Sequence, residues 1–170
     1  MAETAQQYIS RILDQLRDQD PLRVLESTPG KLAALIAGKS ESELRRQPAA
    51  GKWSIAEIVI HLAETEIAIG FRIRMILGTN GTPIQAFDQN AWAVRYAGMP
   101  IEPALQMFGV LRSANLALLR SLNPAQWEQF GLHAERGKET LRHISRLTAG
   151  HDLNHLAQVK AQAPAQSAGG

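Results

Sequence analysis

Residues 140–159 read TLRHISRLTAGHDLNHLAQV, and the fold class turns on this stretch. Leu141, Ile144, Thr148, His151, His155 and Val159 recur at steps of three and four, a spacing that keeps all six on one face of an α-helix. Thr140 precedes the run as an N-cap, its hydroxyl suited to the free amides of a helix start. Two of the six inward positions carry imidazoles where the pattern asks for aliphatic side chains. Four residues turn a helix by about 400° and advance it about 6 Å, so both rings lean over one spot. Two ligands of a single metal ion need that geometry.

The same periodicity continues upstream. Ser54 and Glu57 form a capping box, followed by Ile55, Ile58, Val59, Leu62, Ile69, Ile73 and Ile76 until Gly78 stops the helix. Pro103 to Leu122 is a further helix, with Leu105, Phe108, Leu111, Leu118 and Leu122 as its expected core face and Asn123-Pro124 as its break. Between Leu22 and Ala37, Thr28 reads as an N-cap and Pro29 as the first helical residue, because proline lacks the amide hydrogen a helix interior requires. Gly38 ends that segment. No strand alternation of any length is present. These elements predict an all-α four-helix bundle. The connection from Gly78 through Phe87, Asp88, Trp92 and Tyr96 to Pro103 is long enough to let helices two and three run parallel. The expected organisation is one helical domain over 1–162, with an additional helical segment in 1–20 around Tyr8–Leu16, and a flexible tail over 163–170.

Composition narrows the function. Lys and Arg number 18 against 16 Asp and Glu, a net charge of +2 without a basic cluster, so neither nucleic acid nor an anionic membrane is an expected partner. Cysteine is absent, which excludes disulfides, a thiolate nucleophile and any Cys-containing metal site. The MAETAQQY start has no basic region followed by an apolar one, and no apolar run approaches membrane-spanning length, so the expected location is cytoplasmic. An apolar helix face would serve a homodimer.

The chemistry therefore rests on histidine. His61 lies among Ile58, Val59 and Leu62 on the second bundle helix, and facing helices approach to about 8–10 Å, within reach of the His151–His155 pair. An inward histidine can equally be a core residue satisfied by one hydrogen bond. Three neutral imidazoles would suit Zn²⁺, Ni²⁺ or Fe²⁺ and leave a position open. Glu64, three residues beyond His61, is the candidate catalytic carboxylate: it could orient an imidazole, accept a proton from water, or sit at a helix interface. His133 falls in a loop that could reach the mouth of the site, and His143 reads as an exposed or capping residue. Asp152 lies about 100° from His151 and reads as solvated or interhelical. HDLNH over 151–155 lacks the glutamate and the downstream ligand of a zinc protease.

Lys52-Trp53-Ser54-Ile55-Ala56-Glu57 with His61-Leu62-Ala63-Glu64-Thr65-Glu66, and then Thr140-Leu141 with Gly150-His151-Asp152-Leu153-Asn154-His155-Leu156-Ala157-Gln158-Val159, resemble the two signatures of the DinB/YfiT-like superfamily. The similarity runs from about Pro21 to Gln158. It implies an up-down-down-up bundle and a three-histidine metal centre, here His61, His151 and His155. It also implies a metal-dependent hydrolase, or a transferase using a small thiol that must arrive as a cosubstrate, acting on a small molecule. On the crossover, Trp92 and Tyr96 are candidate pocket walls, and core packing beneath the long loop is an equal alternative for both. The competing expectation is a non-catalytic metal-binding module for dimerisation or stress response, in which the ion only fixes the fold.

Overall fold

The computed structural model describes residues 3–163. Its long helices are α1 (Ala5–Leu16), α2 (Pro21–Ile36), α4 (Ile55–Gly78), α6 (Ile101–Arg120) and α8 (Leu141–Gln162), with short helices α3 (Glu41–Arg45), α5 (Gln89–Ala93) and α7 (Pro124–Trp127) between them. Helices α2, α4, α6 and α8 form the bundle.

Two core clusters fix the helix directions. One gathers Leu32, Ile55, Ile58, Tyr96, Ala104, Phe108, Leu156 and Val159, which joins the starts of α4 and α6 to the ends of α2 and α8. The other gathers Val24, Leu25, Ile73, Ile76, Leu116, Leu119, Leu141 and Ile144, which joins the ends of α4 and α6 to the starts of α2 and α8. Helices α4 and α6 are therefore parallel to each other and antiparallel to α2 and α8. This is the up-down-down-up order that the resemblance implies and that the long crossover permits. The capping box of Ser54 and Glu57, the Thr140 cap and the Asp88 cap of α5 all form.

Three expectations are corrected. Helix α2 does not begin at Pro29. It begins at Pro21, capped by Asp20, and continues through Pro29. Proline cannot donate to the carbonyl four residues back, and that carbonyl, on Leu25, instead accepts from Arg112 Nη1 at 2.9 Å. The helix survives because a side chain from α6 replaces the missing donor. Second, the helices are joined by a small three-stranded sheet: β1 (Thr82–Ile84) pairs parallel with β2 (Phe130–His133), which pairs antiparallel with β3 (Gly137–Thr140). Third, the core face of α6 is rotated. Leu105, Leu111, Leu118 and Leu122 are only partly buried, while Ala104, Phe108, Arg112, Asn115, Leu116 and Leu119 point inward.

Arg112 is 3% exposed and ties α6 to the other three bundle helices. It contacts Glu66 of α4 at 2.9 Å and Asp152 of α8 at 2.5 Å, and Asn115 Nδ2 donates to Glu66 at 2.8 Å. Asp152, read as solvated or interhelical, is thus interhelical and 1% exposed.

Helix α1, whose role the sequence left open, lies along α8 with Ile12 and Leu16 fully buried. Ile67, Phe71 and Met75 form an exposed apolar stripe on α4. No helix among the described residues is long and apolar enough to cross a membrane. Beyond Ala163, the tail expected over 163–170 lies outside the described residues.

Candidate metal centre

The end of the bundle where α4 starts and α8 finishes brings three imidazoles together. His61 Nε2 is 3.1 Å from His151 Nε2, and His155 Nε2 is also 3.1 Å from His151 Nε2. Two ligand nitrogens in a tetrahedral site, each about 2.0–2.1 Å from zinc, stand about 3.3 Å apart. The observed separations match that edge. All three donor atoms lie within 4.8 Å of one another.

The surroundings orient the rings. His155 Nδ1 donates to Gln158 Oε1 at 2.8 Å, leaving its Nε2 lone pair directed at the cluster. An outer partner of this kind fixes the tautomer of a ligating histidine. Trp53 stacks beside His155, with ring centroids 6.1 Å apart and planes at 16°, and lies 4.6 Å from the His61 ring. Thr65 Oγ1 is 3.4 Å from His61 Nε2. The His61 ring is buried, with Nδ1 enclosed and unpartnered.

Burial, with a smaller contribution from His155, pushes the His61 imidazole down to about 3. Burial first and neighbouring positive charge second lower His151, and burial lowers His155. All three rings are thus neutral near pH 7, the state in which imidazole is a ligand. The unfolded chain binds protons at these histidines below about pH 6.5 while the folded chain does not, so stability rises with pH through that window. We expect the metal-free protein to keep its full melting temperature above pH 6.5 and to lose it steadily down to pH 5, above the range where carboxylates titrate. His61→Asn should flatten that slope. An unchanged slope in this variant would show that the His61 ring already protonates normally in the folded state.

Beside the cluster opens a cavity of about 550 Å³, with His61 and His151 in its wall. The face of α4 that carries His61, Thr65, Ile69 and Arg72 forms one side, and Ile144, Leu147, Thr148 and His151 of α8 form another. The segment 86–89 and the β2–β3 hairpin close the far end, and the start of α1 through Tyr8 covers it. His151 keeps part of its surface open to this space, whereas His155 is buried.

The other sequence candidates are placed as follows. His133 lines the cavity. His143 is half-buried near the Thr140 cap, outside the cavity wall. Glu64 is half-buried and also outside the wall, with Oε2 enclosed and without a hydrogen-bond partner. Its neighbour is Tyr96, whose hydroxyl is pushed up by burial and then by the Glu64 carboxylate. Trp92 and Tyr96 do not line the cavity. Trp92 packs on Phe87 with ring centroids 4.5 Å apart, and Phe87 takes the wall position. Arg72, Tyr8 and the orienting Gln158 were not singled out from sequence. Gln158 alone carried a signal, lying three residues beyond His155 and so on the same side of the helix.

A four-helix bundle of this topology with a three-imidazole cluster at one end of its core defines a helical-bundle protein with a histidine centre. The sequence profile of the DinB superfamily matches residues 24–159, and the chain belongs to that superfamily. It is 27% identical over 142 residues to the Bacillus subtilis "Putative metal-dependent hydrolase YfiT", covering 81% of this chain and 79% of that protein. An Oceanobacillus iheyensis protein, also named "Putative metal-dependent hydrolase", is 24% identical over 140 residues, covering 82% and 81%. The solved structure of Bacillus subtilis YfiT, described as a probable metal-dependent hydrolase with an unusual four-helix bundle topology, superposes with a TM-score of 0.76. It covers 83% of this chain and 84% of that one at 23% identity, and shows the shared fold.

Proposed function

We propose that this protein is a metal-dependent hydrolase acting on a small molecule, with His61, His151 and His155 holding one divalent ion. The observation that carries this reading is the convergence of three neutral Nε2 atoms, spaced like the edges of a tetrahedral site, beside a cavity able to admit a substrate. Three protein ligands leave a coordination position free, as in catalytic sites, whereas structural sites use four. A divalent ion held there supplies Lewis-acid chemistry, polarising a substrate carbonyl and making water nucleophilic near neutral pH.

The chain's own residues do the rest. Gln158 holds the His155 proton on Nδ1, Trp53 keeps the rings of His61 and His155 from swinging, and Thr65 places a hydroxyl beside His61. Leu147, Ile69 and Ile144 make the middle of the cavity apolar and limit water around the bound substrate. In this reading Glu64 takes no direct part, since it lies outside the cavity wall and neither its Oε2 nor the neighbouring Tyr96 hydroxyl has a hydrogen-bond partner among the described residues.

Metal analysis after dialysis against zinc should find one equivalent in the wild type. His61→Ala, His151→Ala and His155→Ala should each lower affinity more than the 10–100-fold typical of losing an outer partner, the effect expected for Gln158→Ala. A melting temperature little changed in these variants would accompany a catalytic ion, and a large loss a structural one. Hydrolysis of small esters and amides should appear with metal and vanish with a chelator. Turnover that requires an added small thiol would assign transferase chemistry instead. Stoichiometric zinc in all three histidine variants would overturn the site.

A further inference from the structure

At the end of the cavity remote from the histidines, we propose an anion subsite in which Arg72 and His133 bind the carboxylate or phosphate group of the substrate. This inference deepens the hydrolase reading, since it takes the cavity to be the substrate site.

Arg72 is 8% exposed and forms part of the cavity wall. Its Nη2 donates to the Gln85 carbonyl at 2.9 Å, and its guanidinium lies over the Phe87 ring at 5.3 Å. No carboxylate among the described residues forms an ion pair with it. A guanidinium has five N–H donors in a fork that fits carboxylate and phosphate. Here one of them meets a protein acceptor.

Three of the four acids lining the cavity are already engaged. Glu139 is held by Arg136 at 2.7 and 3.0 Å, Asp88 accepts the amides of Asn90 and Ala91, and Glu3 pairs with Arg11. Glu135 stands exposed at the hairpin tip. A buried cation without an ion-pair partner is costly; burial and then Arg136 lower Arg72, and the Glu139 carboxylate, itself held by Arg136, offsets this only in part. An anionic ligand would relieve that cost.

His133 supplies a second donor. Its Nδ1 accepts the backbone amides of Glu135 and Arg136 at 3.2 and 3.3 Å, so the ring proton sits on Nε2. No protein acceptor among the described residues takes that proton, and the ring lines the cavity.

The spacing from the histidine cluster defines the ligand. Arg72 follows His61 by eleven residues, about 1100° of turn, or within about 20° of the same face, and about 16 Å along the axis. Helical side chains tilt toward the N-terminus, which brings the guanidinium back toward His61. The ligand is therefore an elongated small molecule with an apolar middle against Ile69 and Leu147, an anionic group at Arg72 and its reacting group at the histidines.

The test uses octanoate, octanamide and n-hexyl phosphate as calorimetric probes of metal-free and zinc-loaded protein. Metal-free wild type should bind octanoate or hexyl phosphate at least 10-fold more tightly than octanamide, the stronger anion identifying the headgroup. Arg72→Met should remove that preference while leaving octanamide affinity unchanged, and Arg72→Lys should keep part of it. No preference for the anions in metal-free wild type overturns the subsite without needing any variant. So does octanoate binding that requires zinc and ignores Arg72→Met, a result that leaves the metal reading intact. Arg72-dependent anion binding in a protein that takes up no zinc would support the subsite and refute the metal reading.

Discussion

Arg112→Met should destabilise the protein by about 3–5 kcal/mol, seen as a large fall in the urea midpoint at an unchanged slope. The arginine is 3% exposed, and its removal leaves Glu66 and Asp152 buried without a cation. It also strips the Leu25 carbonyl of the donor that replaces the missing amide of Pro29. Burial alone would depress the Arg112 guanidinium, but the carboxylates of Asp152 and Glu66 outweigh it and hold it above its ordinary value. Set against a total of about 5–15 kcal/mol for a typical domain, the change threatens folding at physiological temperature. Combining it with Glu66→Gln and Asp152→Asn should recover a large part of the loss, because no net charge is then stranded. A midpoint shift worth under about 1 kcal/mol for Arg112→Met alone would mean that water reaches the triad.

The same triad explains where the sequence could and could not be read. The helix carrying His151 and His155 was legible because its inward positions are spaced regularly and interrupted only by the two imidazoles that mark the site. Helix α6 was misread by building its core face from leucines and Phe108 and giving Arg112 no place in it. That is the right assumption for a lone charge, but Arg112 finds its partners 46 residues before it and 40 after it, at Glu66 and Asp152. Pairing across that distance leaves no local periodicity. Pro29 misled for the same reason, since its compensating donor is also Arg112. The strands of three and four residues are too short for alternation to register. They depend on tertiary pairing, including the parallel contact of β1 with β2 across the whole of α6. At the histidine centre the His151–His155 pair was legible locally, whereas the presence of His61 beside it rested on resemblance until the bundle brought α4 against α8. The Arg72 end of the cavity had no local signature, because the charge becomes unusual only once burial and the occupied carboxylates around it are known.

Gly150→Ala should release α1 from the body of the protein. In the middle of an exposed helix this substitution stabilises by about 1 kcal/mol, because alanine has the better helix propensity. Here an added Cβ would fall on the carbonyl oxygen of Ile12, a backbone atom that can yield only if α1 moves. Overpacking against backbone costs about 1–3 kcal/mol or more. The least expensive response is undocking of the twelve-residue α1, which fully buries only Ile12 and Leu16, rather than unfolding of a bundle with two core clusters. Hydrogen exchange should therefore show amides from Tyr8 to Leu16 losing most of their protection while α4 and α8 keep theirs. Gly109→Ala on α6 is the matched control: its added Cβ meets nothing within 4 Å, and the variant should gain up to about 1 kcal/mol. Because Thr4, Ala5 and Tyr8 cover the cavity, release of α1 should also raise solvent access to His151 and weaken retention of any small ligand, without removing a single imidazole. Unchanged protection across α1 in Gly150→Ala would show that the helices yield enough to admit the methyl while α1 stays docked, and solvent access to His151 would then stay as in the wild type.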